Sequence, residues 1–185
     1  MEQNYYIINP YTKFIEIRGK DRNNFLQGLI TNDINKCHKN EQPIYSCFLS
    51  PQGKFLADFF IINIKNNYLI EIHEKYFESF YNKLKMYKLR SDVHFSSNTE
   101  LQSLIVFSAN KIKYQKNIIF FSDPRNKKLG IKIYAKKEIK ELFFLDNLKK
   151  ISYQFYEKNL MKNLIPNSPI DLFENKSLLL ENNFQ

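Results

Sequence analysis

A chain of 185 residues, 43% hydrophobic and 25% charged, is long enough for one ordinary domain or two small lobes with a buried core, and is too apolar to be disordered. Its formal charge of +9 admits a polyanionic partner such as RNA, DNA or an anionic cofactor, but no run of five or six Lys or Arg concentrates it. Four glycines without a GxGxxG or GxxxxGK[ST] pattern exclude the usual phosphate loops, and no apolar run approaches the ~20 residues of a membrane-spanning helix.

In chain order, residues 5–8 (YYII) and 14–17 (FIEI) read as two short strands about a turn at Asn9-Pro10. Asp21 is placed to cap the helix that follows, where Phe25, Leu26, Leu29 and Ile30 fall at helical spacing before Thr31, Asn32 and Asp33 break the pattern. Cys37 sits in a polar loop beside Lys36 and Lys39, which could lower its pKa. Residues 45–62 then predict a β-hairpin that turns at Ser50-Pro51-Gln52-Gly53. A strand over 68–73 precedes an amphipathic helix carrying Phe77, Phe80, Tyr81, Leu84 and Tyr87 at three- and four-residue steps.

The second half predicts a strand starting at 93–95 and strands at 101–109 and 129–134, with 96–100 a polar loop and 118–121 leading into a turn at 123–126. Residues 136–158 are helical in pattern, 163–171 form a loop around Pro166 and Pro169, and 178–185 are an apolar tail. Strands mixed with helices in this way are an α+β arrangement.

Asp58 is the leading chemical candidate, because a carboxylate among Phe55, Leu56, Phe59 and Phe60 needs a partner or a ligand. Gln27, Thr31, Asn32 and Asp33 form either a polar pocket edge or a helix C-cap. Arg90 pairs with Asp92 or meets a carboxylate ligand, and Arg125 stands between a turn salt bridge and an anion contact in the same way. His38, His73 and His94 lack metal-ligand spacing to one another and to the two cysteines. Cys47, alternating with apolar residues, reads as a buried thiol, and reduced cysteines with no export segment lead to the expectation of a cytoplasmic protein.

Five pieces in order, FLQGLITND, YSCFLSPQGKFLADF, MYKLRSDVHF, DPRNKKLG and LIPNSPID with LLLENNF, resemble the YgfZ family of folate-binding proteins. These are relatives of the T-protein of the glycine cleavage system and include mitochondrial iron–sulfur assembly factors. The resemblance implies two interleaved α+β lobes, the inner one over roughly 45–135. It also implies a tetrahydrofolate ligand held by Asp58, Gln27, Asn32 and Arg90, with Tyr156 stacking on it. The family's Lys-Gly-Cys-Tyr-x-Gly-Gln-Glu signature and C-terminal barrel have no counterpart, so a truncated protein is expected.

The function implied is support of iron–sulfur cluster synthesis or repair, with iron–sulfur proteins or their assembly machinery as partners and an indirect effect on tRNA modification. Aminomethyl transfer is the alternative. It is weakened because T-proteins carry paired aspartates where this chain has Ala57-Asp58, and an Asn near the position of Ile72. A basic RNA-binding module and an inactive remnant are the other readings.

Overall fold

Ser50-Pro51-Gln52-Gly53 closes the hairpin expected from the sequence, with the Gly53 N–H donating to the Ser50 carbonyl at 2.9 Å and Gly53 at φ 76°. The strands it joins are β3 (Ile44–Leu49) and β4 (Phe55–Ile64). The computed structural model describes residues 4–39, 42–65, 67–108, 118–136 and 148–182, with the side chains of 38 and 39 left aside. The chain divides into two units, Met1–Pro10 with Glu100–Ile165 (unit 1) and Tyr11–Thr99 with Pro166–Gln185 (unit 2). The crossings therefore fall at 10, 99 and 165, whereas the sequence reading put the inner lobe at roughly 45–135.

Unit 2 is built on a five-stranded antiparallel sheet in the order β3-β4-β5-β2-β6, with β2 Thr12–Arg18, β5 Asn67–His73 and β6 His94–Asn98. Helix α3 (Glu74–Lys88) buries Tyr76, Phe80 and Leu84. Phe80 meets Phe48 at 5.4 Å and Phe59 at 4.8 Å between ring centroids, and Tyr76 meets Phe55 at 5.6 Å. Each such burial stabilises by roughly 1.5–3 kcal/mol, which is why this amphipathic stripe is helical and sits on the sheet. His73 caps the helix, its Nδ1 accepting from the Lys75 N–H at 3.1 Å.

Several local expectations change. The first helix, α1, is Arg22–Gln27, and Asp21 does not cap it through its side chain. That carboxylate instead accepts the Asp92 N–H at 2.7 Å, a tie 71 residues away that local reading cannot see. Residues 34–39 form α2 (Ile34–Lys39), not a loop, and Cys37 on it is wholly buried. Its Sγ donates to the Ile61 carbonyl at 3.5 Å. Burial pushes the thiol up to about 11, the reverse of the lowering expected from Lys36 and Lys39. Residues 96–98 continue β6 instead of looping, because they pair with Phe14, Ile15 and Glu16.

Unit 1 holds the second sheet, ordered β10-β1-β7-β9-β8. Its strands are β1 (Tyr5–Asn9), β7 (Leu101–Phe107), β8 (Ile119–Ser122), β9 (Ile131–Lys136) and β10 (Lys149–Lys150). The first two predicted strands thus do not pair with each other: β1 pairs with β7 and β2 with β5. Within the predicted 136–158 helix, 137–147 lie outside the described residues, 149–150 pair parallel to β1, and the helix α4 is Tyr153–Lys162. The predicted 163–171 loop contains a short helix, α5 (Ser168–Asp171), which belongs to unit 2. Of the predicted apolar tail, 183–185 also lie outside the described residues.

Arg125 makes the turn salt bridge, one of the two roles open to it. Its Nε and Nη2 donate to the two Asp123 carboxylate oxygens at 3.0 and 2.8 Å. Tyr156 Oη accepts from Arg125 Nη2 at 2.7 Å and donates to Asp123 at 3.3 Å. Burial works to raise the Asp123 pKa, but the adjoining Arg125 guanidinium outweighs it and holds the carboxyl below the usual range.

Candidate functional site

Strand β4 turns alternate side chains to opposite faces of its sheet. Ala57, Phe59 and Ile61 belong to the core under α3, and Asp58 points the other way, opposite Cys47 on β3. Tyr45 is two residues along β3 from Cys47 and so shares that face. Its hydroxyl donates to Asp58 Oδ2 at 2.5 Å, and the Ser168 hydroxyl donates to Oδ1 at 2.5 Å. Ser168 is itself held, since the Tyr76 hydroxyl donates to its carbonyl at 2.9 Å. Asp58 is half-buried with both oxygens engaged.

His73 stands near this carboxylate. Burial lowers its pKa, while the charges of Asp58 and Glu74 pull in the opposite direction. Its ring stacks on Tyr11 at 5.4 Å between centroids.

A cavity of about 820 Å³ opens beside the cluster, lined by Thr31, Asn32, Lys36, Tyr45, Ser46 and Cys47 on one side and by Leu178, Leu179 and Leu180 on another. Residues 31 and 32 are stitched to β3. The Thr31 N–H donates to the Cys47 carbonyl at 3.1 Å, the Cys47 N–H to Thr31 Oγ1 at 3.0 Å, and Asn32 Nδ2 to the Tyr45 carbonyl at 2.9 Å. Gln27 closes the loop from the other end, its Oε1 accepting the Ile34 N–H at 2.8 Å and its Nε2 donating to the Asn32 carbonyl at 3.4 Å. Thr31 and Asn32 line the cavity, whereas the C-cap of α1 is Gly28 and Gln27 instead accepts the first N–H of α2.

Of the residues singled out in the sequence, Asn32 lines the cavity, Gln27 is linked to it through its bond to the Asn32 carbonyl, and Asp58 through Tyr45. Arg90 is exposed in the turn after α3. It does not pair with Asp92, whose carboxylate lies 3.9 Å from Lys20 and 3.3 Å from His94. Tyr156 lies in unit 1, 3% exposed, with its hydroxyl on Arg125 and Asp123. The sequence reading missed Tyr45 and Ser168 as partners of Asp58. Tyr45 shares the face of Asp58 only because the register shifts between Phe48 and Leu49, and Ser168, 110 residues from Asp58, carried no signal.

Neither cysteine equips this site for thiol chemistry. Cys37 and Cys47 are both buried, as expected for Cys47. In native protein at pH 8, Cys37 is expected to resist iodoacetamide and to react only after denaturation, because an unfolded thiol has a pKa near ~8.5. Rapid native labelling of Cys37, read by peptide mass mapping, would contradict its raised pKa.

No family model matches the chain. Sequence similarity is found to the iron-sulfur cluster assembly factor IBA57 homolog, mitochondrial, of Mycosarcoma maydis, at 31% identity over 96 residues, 45% of this chain and 24% of that protein. The homologue of Neurospora crassa is 36% identical over 86 residues, 43% of this chain and 19% of that protein. The matched stretches thus span about a quarter or less of these relatives. The crystal structure of glycine cleavage system aminomethyltransferase T from Bartonella henselae superposes with a TM-score of 0.62 over 89% of this chain and 48% of that one, at 12% identity. The α+β, T-protein-like fold expected from the sequence is therefore present. The cytoplasmic expectation is corrected: the similar assembly factors are named mitochondrial, and the reading from reduced cysteines and a missing export segment could not separate the two compartments.

Proposed function

We propose that this chain, similar in sequence to the mitochondrial assembly factors and T-protein-like in fold, binds tetrahydrofolate and supports iron–sulfur cluster assembly. The observation that carries the ligand is Asp58. A carboxylate offers about four lone-pair sites, and the Tyr45 and Ser168 hydroxyls use two. The others suit the amino and N–H donors along a pterin edge. The neighbouring cavity, about 820 Å³, is of ligand size and offers the flat ring system apolar walls at Leu178 and Leu179. Gln27 and Asn32 keep the cavity edge in place, and Lys36 supplies a cation for an anionic tail.

The assembly role rests on the sequence shared with the mitochondrial factors. Its partners are then iron–sulfur proteins or their assembly machinery, and reduced tRNA modification is an indirect consequence of losing it. Aminomethyl transfer is the weaker reading. Ala57, 2% exposed in the core, stands where a second carboxylate is needed, and Ile72, 1% exposed, replaces the polar residue of the next strand.

Anaerobic calorimetry with tetrahydrofolate tests the ligand. Asp58→Asn removes a charged acceptor and is expected to cost roughly 1.5–3 kcal/mol, about ten- to a hundredfold in Kd. Tyr45→Phe should cost less, since it only frees the carboxylate from one donor. Equal affinity in wild type and Asp58→Asn would leave Asp58 a structural residue.

A further inference from the structure

The end of α3 carries features that folding of unit 2 does not require. Residues 83–90 read KLKMYKLR, and no acidic residue occurs between Glu78 and Asp92. Lys85 and Arg90 are exposed, Lys83 and Lys88 half-buried, and none of the four makes an ion pair with a described carboxylate. Leu89 ends the helix at φ 45°, ψ −116°, a conformation natural to glycine and costly for a residue with a Cβ. Its side chain is nevertheless 86% exposed. The backbone strain opposes folding and the exposed side chain contributes almost no burial, so stability gives no reason for a leucine here.

Tyr87, two residues earlier, is one wall of a groove of about 380 Å³. Leu29, Ile30, Phe48, Leu49 and Pro51 form the rest of its apolar lining, and no charged side chain lines it. The result is a small apolar depression at the end of α3, which also carries an exposed leucine and four cations without a carboxylate partner among the described residues, Lys85 lying over the Tyr81 ring at 4.3 Å.

We propose that this face of unit 2 docks a protein segment with an apolar anchor flanked by Asp or Glu. The anchor enters the groove against Tyr87 and Pro51, Leu89 packs over it, and the flanking carboxylates meet Lys85, Lys88 and Arg90. Apolar anchors in concave sites carry most of the energy of such contacts, and complementary charge sets partner and association rate. A segment of protein fits better than a bilayer, which has no single side chain to insert. It also fits better than RNA, because Tyr87 is the one exposed aromatic ring lining the groove and offers a single stacking face. The groove shares Thr31 and Leu49 with the cavity of the folate reading, but Tyr87, Leu89 and Arg90, on which the proposal turns, do not line that cavity.

Fluorescence anisotropy with the labelled peptide EEELLEEE, its counterpart KKKLLKKK, oligouridylate and phosphatidylserine vesicles tests the proposal on the 185-residue chain. The acidic peptide should bind and the basic one should not. Leu89→Gly should weaken binding by about tenfold or more while leaving Tm unchanged or raised, because glycine relieves the backbone. Arg90→Glu should weaken it comparably and flatten its salt dependence. The proposal is overturned if neither peptide binds or both bind alike, if oligouridylate or vesicles bind more tightly, or if Leu89→Gly keeps full affinity. A fall in Tm of that variant would make Leu89 structural and overturn it as well.

Discussion

Asp123→Ala is expected to cost unit 1 about 3–5 kcal/mol, as the removal of one partner from a buried ion pair does. The Asp123 side chain is 0% exposed and that of Arg125 only 12%, so the guanidinium left behind has little water to turn to. Tyr156 would lose its acceptor in the same change, and the charge of the half-shared site would become wholly positive. The chain has no Trp, so urea denaturation is best followed by circular dichroism. Loss of less than about 1 kcal/mol, the range of an exposed pair, would mean that water reaches the site.

The same pair predicts acid sensitivity with a definite sign. The folded pKa of Asp123 is lowered, with burial opposing the shift and Arg125 overriding it. Its contribution is therefore complete above the unfolded value, near ~3.9, and is lost as pH falls through the lower folded value. Wild type should lose stability more steeply than Asp123→Asn below about pH 4. Parallel pH curves would show that Arg125 does not hold the carboxyl down.

Gly19→Ala is the second large effect, expected at about 2–4 kcal/mol from backbone strain and lost hydrogen bonds together. Gly19 has φ 115°, and a Cβ there would lie 2.1 Å from the Asp92 carbonyl oxygen and 2.9 Å from the Val93 Cα. Both are backbone atoms, so the 91–93 segment must move. That segment is held by the Asp21 N–H donating to the Asp92 carbonyl at 3.2 Å and by the Asp21 carboxylate accepting the Asp92 N–H at 2.7 Å. It also delivers Val93, wholly buried, to the core. Gly53→Ala is the control. It too has positive φ, but its added Cβ meets nothing within 4 Å, so only the conformational penalty of about 1 kcal/mol applies. Equal denaturation midpoints for the two variants would remove the steric part of this account.

The hairpin 44–64 and helix α3 could be read from the sequence, because their signals are local. Alternation, a Pro-Gln-Gly turn and a three-four repeat each act over a few residues, and tertiary packing reinforced them. The resemblance likewise rested on short pieces in order, and it led to the T-protein-like fold that superposition bears out.

Other features depended on contacts that no local window contains. Residues 5–9 and 12–18 look like one hairpin, yet Pro10 ends one unit and Tyr11 begins the next, since each strand finds a better partner far along the chain. Polar residues 96–98 became strand because β2 had an unpaired edge to satisfy. At the site, the presence of a partner for Asp58 followed from the cost of burying a lone carboxylate, but its identity did not.

Counting back from the Ser50–Gly53 turn with Leu49 opposite Phe55 sets Ser46 opposite Asp58. The irregularity between Phe48 and Leu49 shifts the register by one residue, which puts Cys47 there instead and turns Tyr45 onto the carboxylate's face. Ser168 arrives from the other end of the chain, brought there by the Tyr76 bond and by the pairing of Phe55 with residues 175 and 177. Composition and spacing thus determined that β4 holds a carboxylate in need of partners. Which hydroxyls answer it was decided by a one-residue bulge and a contact spanning 110 positions, because hydrogen bonds are satisfied in space and not along the sequence.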